Sequence, residues 1–208
     1  MATVQAALTP TADTTPAVAK IPAKELSGEQ WVARFPGSSS LDVLVDPFKA
    51  NLTSFKAAIE AAGGTVRVNA TYRPPERAYL MHWSYLISKG KNKPQGIPAM
   101  DGVNIEWDHG DDKKSIAAAN DMIVGFQMEA LATTPSLTSN HTIKKAADLT
   151  ISWSGDLAIT DAAKKSITIK SEPKSGLNTE LITVGATYNV IKYNRTGTDI
   201  PHWSHDGA

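Results

Sequence analysis

Cysteine is absent from the 208 residues, which removes disulfides, thiolate nucleophiles and every cysteine-based zinc or iron–sulfur site. Any metal must therefore be held by His, Asp or Glu. Histidine itself is scarce, with only His82, His109, His141, His202 and His205 in the chain. Net charge is also missing: 21 Lys and Arg balance 21 Asp and Glu, and the basic residues are scattered. A polyanion gripped by charge is thus not the expected partner, and no nucleic-acid binding is expected. No apolar run approaches the length of a membrane span. The opening stretch MATVQAALTPTADTTPAVAKIPAK lacks both a basic start and a sustained apolar segment, so it does not read as a Sec-type signal peptide. Its Ala, Thr and Pro content reads instead as a flexible leader over residues 1–30, ahead of a single folded domain over 31–208 that starts near Trp31.

What is present patterns into helices first and strands later. In residues 46–62, Phe48, Leu52, Phe55, Ala58 and Ile59 form a helical stripe closed by Gly63 and Gly64. Val66 and Val68 alternate with polar neighbours as a half-buried strand does, and Arg73-Pro74-Pro75 breaks it. Pro75 and Glu76 then open a second helix through PERAYLMHWSYLISKG. Residues 91–112 read as a loop punctuated by Pro and Gly, and a third helix is expected over 114–132, behind the acidic pair Asp111-Asp112. DLTISW, DLAIT and KSITIKS are short alternating runs, residues 178–185 suit a short helix, and YNVIKY is expected as the last strand. The order predicts an α+β domain with a mostly antiparallel sheet and helices packed on it.

Ligand-capable side chains concentrate in two places. SLTSNHTIKKAADLTISW carries Ser139, His141 and Asp148, and TGTDIPHWSHDGA carries Asp199, His202, His205 and Asp206. Zinc ligands bind about 2 Å from the metal, so their donor atoms must converge to about 3–4 Å. The seven-residue step from His141 to Asp148 spans roughly 23 Å as a strand and roughly 10 Å as a helix. The chain must turn back between them, with Asp148 opening the strand that follows. A third ligand must come from far away, and the C-terminal cluster is the rich source.

SNHTIKKAADL resembles the Ser-x-His-x-x-Gly-x-Ala-x-Asp signature of the D-alanyl-D-alanine carboxypeptidase and dipeptidase family of zinc peptidases, which shares its fold with hedgehog domains and includes phage endolysins. Ser139, His141, Ala146 and Asp148 occupy matching positions, whereas Lys144 stands where the family has Gly. Asp199-Ile200-Pro201-His202-Trp203 resembles the family's C-terminal element, and Tyr72-Arg73 its early Tyr-Arg pair. The resemblance covers roughly residues 66–202. It implies a hedgehog/DD-peptidase-like fold, zinc on His141, Asp148 and His202, Asp199 as general base and Arg73 over the scissile carbonyl. It further implies Ser139 and Tyr72 as substrate-orienting residues. Trp203, beside the ligand, is a candidate substrate wall or a buried anchor, the second being the safer choice.

Alone, each of these histidines would read as a packing or surface residue. His82, on an apolar helix among Met81, Trp83 and Tyr85, is expected to pack; His109, in EWDHGDD, is expected to be exposed. His205 competes with His202 through a His-x-x-His pair, but Pro201 disfavours a helix there and Asp199 sits at the family's spacing from His202. His205 is left to the rim and Asp206 to solvent. The expected function is a monomeric zinc peptidase acting on peptidoglycan peptides, reaching the cell wall or periplasm after lysis or by a non-Sec route. The alternative is a non-catalytic zinc-containing module of the same fold that docks on peptidoglycan or a protein.

Overall fold

The computed structural model describes residues 23–193 and 200–208; the residues before 23, and with them most of the expected leader, lie outside the description. Strand β1 (Glu25–Leu26) pairs in parallel with β3 (Ile105–Glu106). The fold therefore begins ahead of Trp31, and the expected boundary moves forward by several residues. Between them come helix α1 (Phe48–Ala61), strand β2 (Thr65–Ala70) and helix α2 (Pro75–Ser88). After β3 follow α3 (Asp112–Gly125), β4 (Ala146–Ser152), the hairpin strands β5 (Leu157–Thr160) and β6 (Ser166–Ile169), α4 (Thr179–Thr187), β7 (Ile191–Lys192) and β8 (His202–Ser204). The main sheet has order β2-β4-β8-β7 and every neighbour in it is antiparallel. The chain is α+β, with four α-helices among the described residues.

Local chemistry accounts for the helix limits. Phe48, Leu52, Phe55 and Ile59, spaced three or four apart, are all buried on one face of α1. Pro75 starts α2, where its missing N–H costs nothing. The Asp111 carboxylate accepts from the Lys114 N–H at 3.0 Å and caps α3. That helix stops at Gly125 instead of running to residue 132. Gln127 takes a left-handed φ of 59°; its N–H reaches the Val124 carbonyl and the Met128 N–H the Ile123 carbonyl, each at 2.9 Å. This double closure ends a helix, and Met128, 1 % exposed, supplies the apolar contact that goes with it. Residues 129–139 are thereby freed to wall the cavity described below.

Two apolar clusters hold the fold. One lies between α1, α4 and one face of the main sheet and includes Phe48, Phe55, Ile151, Leu181 and Trp203. The other joins α2 and α3 to Trp31, Ile105 and Trp107. YNVIKY does form strand β7, but it is not the last one: β8 inserts between β4 and β7.

Candidate metal centre

The β4–β8 register places Asp148 directly opposite His202, so the two side chains leave the same face of the sheet as cross-strand neighbours. Asp148 is the third residue of β4, not its first. On the other flank, β2 steps from Val68 to Ala70 while β4 moves one residue, from Leu149 to Asp148. This bulge turns the chain into Thr71-Tyr72-Arg73 beside the site. His141 arrives from the turn before β4. Lys145 N–H bonds the Asn140 carbonyl at 2.8 Å, Lys144 N–H bonds the His141 carbonyl at 3.3 Å, and Lys144 sits at φ 62°. Lys144 thus adopts the left-handed conformation that glycine favours.

Three potential ligand atoms converge as a result. His141 Nε2 lies 3.2 Å from Asp148 Oδ1 and 3.2 Å from His202 Nδ1, and His202 Nδ1 lies 3.4 Å from Asp148 Oδ1. Ligands about 2.0–2.1 Å from a tetrahedral ion are spaced by about 3.3–3.4 Å, so the three atoms already mark three corners of such a site. Among the described residues these three form the one group of His, Asp and Glu side chains arranged to hold a metal ion.

Outward contacts decide which atoms of the two rings face inward. His141 Nδ1 lies 3.3 Å from the Thr71 carbonyl, and His202 Nε2 lies 3.2 Å from the Ala208 main-chain oxygen. These oxygens accept only, so each outer nitrogen carries a hydrogen, and a ring in its neutral form turns a lone pair inward. Thr71 is fully buried and its hydroxyl donates to the Ser38 and Ser40 carbonyls, which fixes its own carbonyl in place. Two ring nitrogens and a carboxylate then face one point in a nearly buried setting, an arrangement compatible with a bound cation. Burial would raise the Asp148 carboxyl, but in the ion-free site His141 and His202, when a proton on each inner nitrogen takes the place of a cation, donate to it and with their charge hold it well below the usual carboxylate range.

The site forms part of the wall of a cavity of about 770 Å³, within the size range of small-ligand clefts. Arg73 and Ser139 line it together with Thr133, Thr134, Ser136 and Thr138. The Ser139 Oγ is buried and makes no hydrogen bond among the described residues. The Arg73 N–H donates to the His141 carbonyl at 3.3 Å, tying the Tyr-Arg segment to the ligand turn.

Other expected site residues fall elsewhere. Trp203 is a core residue and not a substrate wall: alternate residues of β8 face opposite ways, so placing His202 in the site drives Trp203 into the apolar cluster. It is 0 % exposed and its ring centroid lies 5.4 Å from that of Phe55. Tyr72 does not line the cavity; its ring lies under Lys144 Nζ at 4.8 Å, and its carbonyl accepts from the Ser38 N–H. The proposed base Asp199 lies outside the described residues. His205 is exposed and stands apart from the ligand group, with its N–H on the Lys145 carbonyl. His82 packs edge-on against Trp83, as expected, and its Nδ1 lies 2.8 Å from the Pro135 carbonyl. His109 is half-buried instead of free, with its Nε2 3.0 Å from Ser27 Oγ.

Comparison of the chain with family models, curated proteins and solved structures gives no match. No helix among the described residues is long and apolar enough to cross a membrane.

Proposed function

We propose that the chain is a zinc-dependent peptidase acting on peptides of the bacterial cell wall. The observation that carries the metal is the convergence of three potential ligand atoms, at 3.2–3.4 Å from one another. Two imidazoles and one carboxylate form a donor set suited to zinc, and three protein ligands leave a fourth position for water or substrate. Zinc bound there would supply a Lewis acid able to polarise a carbonyl and to bring the pKa of water towards neutrality.

The chain's own groups supply the rest. Arg73, in the cavity wall, brings a fixed positive charge towards an oxygen that becomes negative during acyl transfer. Ser139, given a substrate-orienting role by the resemblance, lies in the cavity wall with a buried hydroxyl that makes no hydrogen bond among the described residues. Asp199, assigned by the resemblance, takes a proton from the attacking water and returns it to the leaving amine. The neutral hydroxyl wall from Thr133 to Thr138 suits peptide backbone better than a polyanion.

The test is incubation of the purified, zinc-loaded protein with peptidoglycan, following the appearance of new amino termini. Wild type should release them, while Asp199→Ala and chelator-treated protein should not. Stoichiometric zinc with no release from peptidoglycan or its soluble stem peptides would reject catalysis and leave a docking module.

A further inference from the structure

The cation site leaves one neighbouring feature unexplained. Past β8 the chain folds back onto the turn that carries His141, and the two segments are joined by side chains that no ligand role requires. Asn140 Nδ2 donates to Asp206 Oδ1 at 2.7 Å and also to the Ala208 carbonyl at 2.6 Å. Asp206 Oδ1 accepts from Ser204 Oγ at 3.2 Å and from the Ala208 N–H at 3.1 Å as well. The Gly207 N–H donates to Ser204 Oγ at 2.8 Å, which closes a compact turn. The Ala208 carbonyl held by this turn is the same oxygen that lies 3.2 Å from His202 Nε2. Asp206 is exposed, so solvation alone gives no reason for so many convergent bonds on one of its oxygens.

We infer that Asn140 and Asp206 are positioning residues that form a clasp, holding the Ala208 main-chain oxygen against His202 so that its Nδ1 faces the metal. The inference rests on the metal reading proposed above. A carbonyl on Nε2 fixes both the tautomer and the tilt of the ring, and such outer partners commonly change metal affinity about 10–100-fold. Because the acceptor is a main-chain oxygen, a side-chain substitution at residue 208 does not remove it, and the clasp is tested through the groups that hold it. Asn140 adjoins His141 in sequence, so the same amide joins the segments carrying two of the three ligands. Thr71 plays the matching part for His141, but through a fully buried threonine locked to residues 38 and 40. The clasp on His202 is exposed, so it can be altered without opening the core.

The experiment compares wild type with Asn140→Ala, Asp206→Ala and Asp206→Asn. Zinc affinity is measured by chelator competition, the cobalt(II)-substituted proteins are compared by visible absorption, and the metal-free proteins are melted. Both alanine variants should bind zinc about tenfold or more weakly and shift the cobalt spectrum. Their metal-free melting temperatures should stay within a few degrees of wild type. Asp206→Asn keeps an oxygen that accepts the same bonds and should recover most of the affinity. Alanine variants that bind zinc within about twofold of wild type, with an unchanged cobalt spectrum, overturn the clasp alone. The same holds if affinity falls only in proportion to a lowered metal-free stability. Wild type that takes up no zinc overturns the metal reading and the clasp together, so the two failures are told apart by the first sample.

Discussion

Gly185, in α4, offers a test in which two physical effects oppose each other in sign. An added Cβ would stand 2.8 Å from Trp203 Cζ3, 3.1 Å from Phe55 Cζ and 3.1 Å from the Val190 carbonyl. Ordinary contact begins near 3.4 Å, so the tryptophan ring must yield by more than half an ångström. It has nowhere to go, being 0 % exposed and backed by Phe55. In a free helix Gly→Ala is favourable by about 0.8–1 kcal/mol. Overpacking a filled core costs about 1–3 kcal/mol, and the backbone carbonyl at 3.1 Å puts this site towards the upper end. Gly185→Ala should therefore be destabilising by about 1–2 kcal/mol net, which for a chain of this size lowers the melting temperature by roughly 2–8 °C. Thermal melting of the metal-free protein by circular dichroism reads this directly. A raised melting temperature would mean that helix propensity wins and that the contact of α4 with Trp203 beneath β8 is looser than described.

Further expectations follow from the site. His202→Ala should weaken zinc binding far more than His205→Ala in chelator competition, since only His202 belongs to the ligand group; the reverse order would show the wrong C-terminal ligand. Lys144→Gly should change stability by less than about 1 kcal/mol, because relief of the left-handed backbone offsets the entropy gained by the unfolded chain. Lys144→Ile should cost about 1 kcal/mol or more in urea unfolding, since a branched residue tolerates φ 62° poorly; equal stabilities would contradict the assigned turn. The folded Asp148 carboxyl is held below its unfolded value, so its contribution is present above the unfolded pKa of about 4 and is lost as pH falls below that. In the metal-free protein the stability gap between wild type and Asp148→Asn should accordingly narrow as pH falls below about 4. A gap that widens in acid would refute the sign.

The helices and most strands were legible because their patterns are long: Phe48 to Ile59 repeats at helical spacing, and Leu149 and Ile151 alternate with polar neighbours. The end of α3 was less so, since nothing in Gln127 announces a left-handed residue that closes the helix two bonds at a time. Strand β8 was invisible for a similar reason. It has three residues after a proline, too few for any period to register, and its place depends on pairing with β4 and β7. That one strand carries both the third ligand and the orientation of Trp203, so missing it left the tryptophan's role open. His141, Asp148 and His202 were picked out by the resemblance of SNHTIKKAADL and DIPHW to the family's elements, and the structure brings the three side chains together. Thr71, Asn140 and Asp206 were not, as their roles run through main-chain oxygens that are brought near only by the bulge in β2 and the turn after β8.

Zinc content of the purified protein after exposure to excess zinc and removal of loosely bound metal tests the central claim most directly. One zinc per wild-type chain, lost in His141→Ala, is the result expected from three converging donors. Wild type that retains no stoichiometric metal, or a His141→Ala protein that retains as much as wild type, would contradict it.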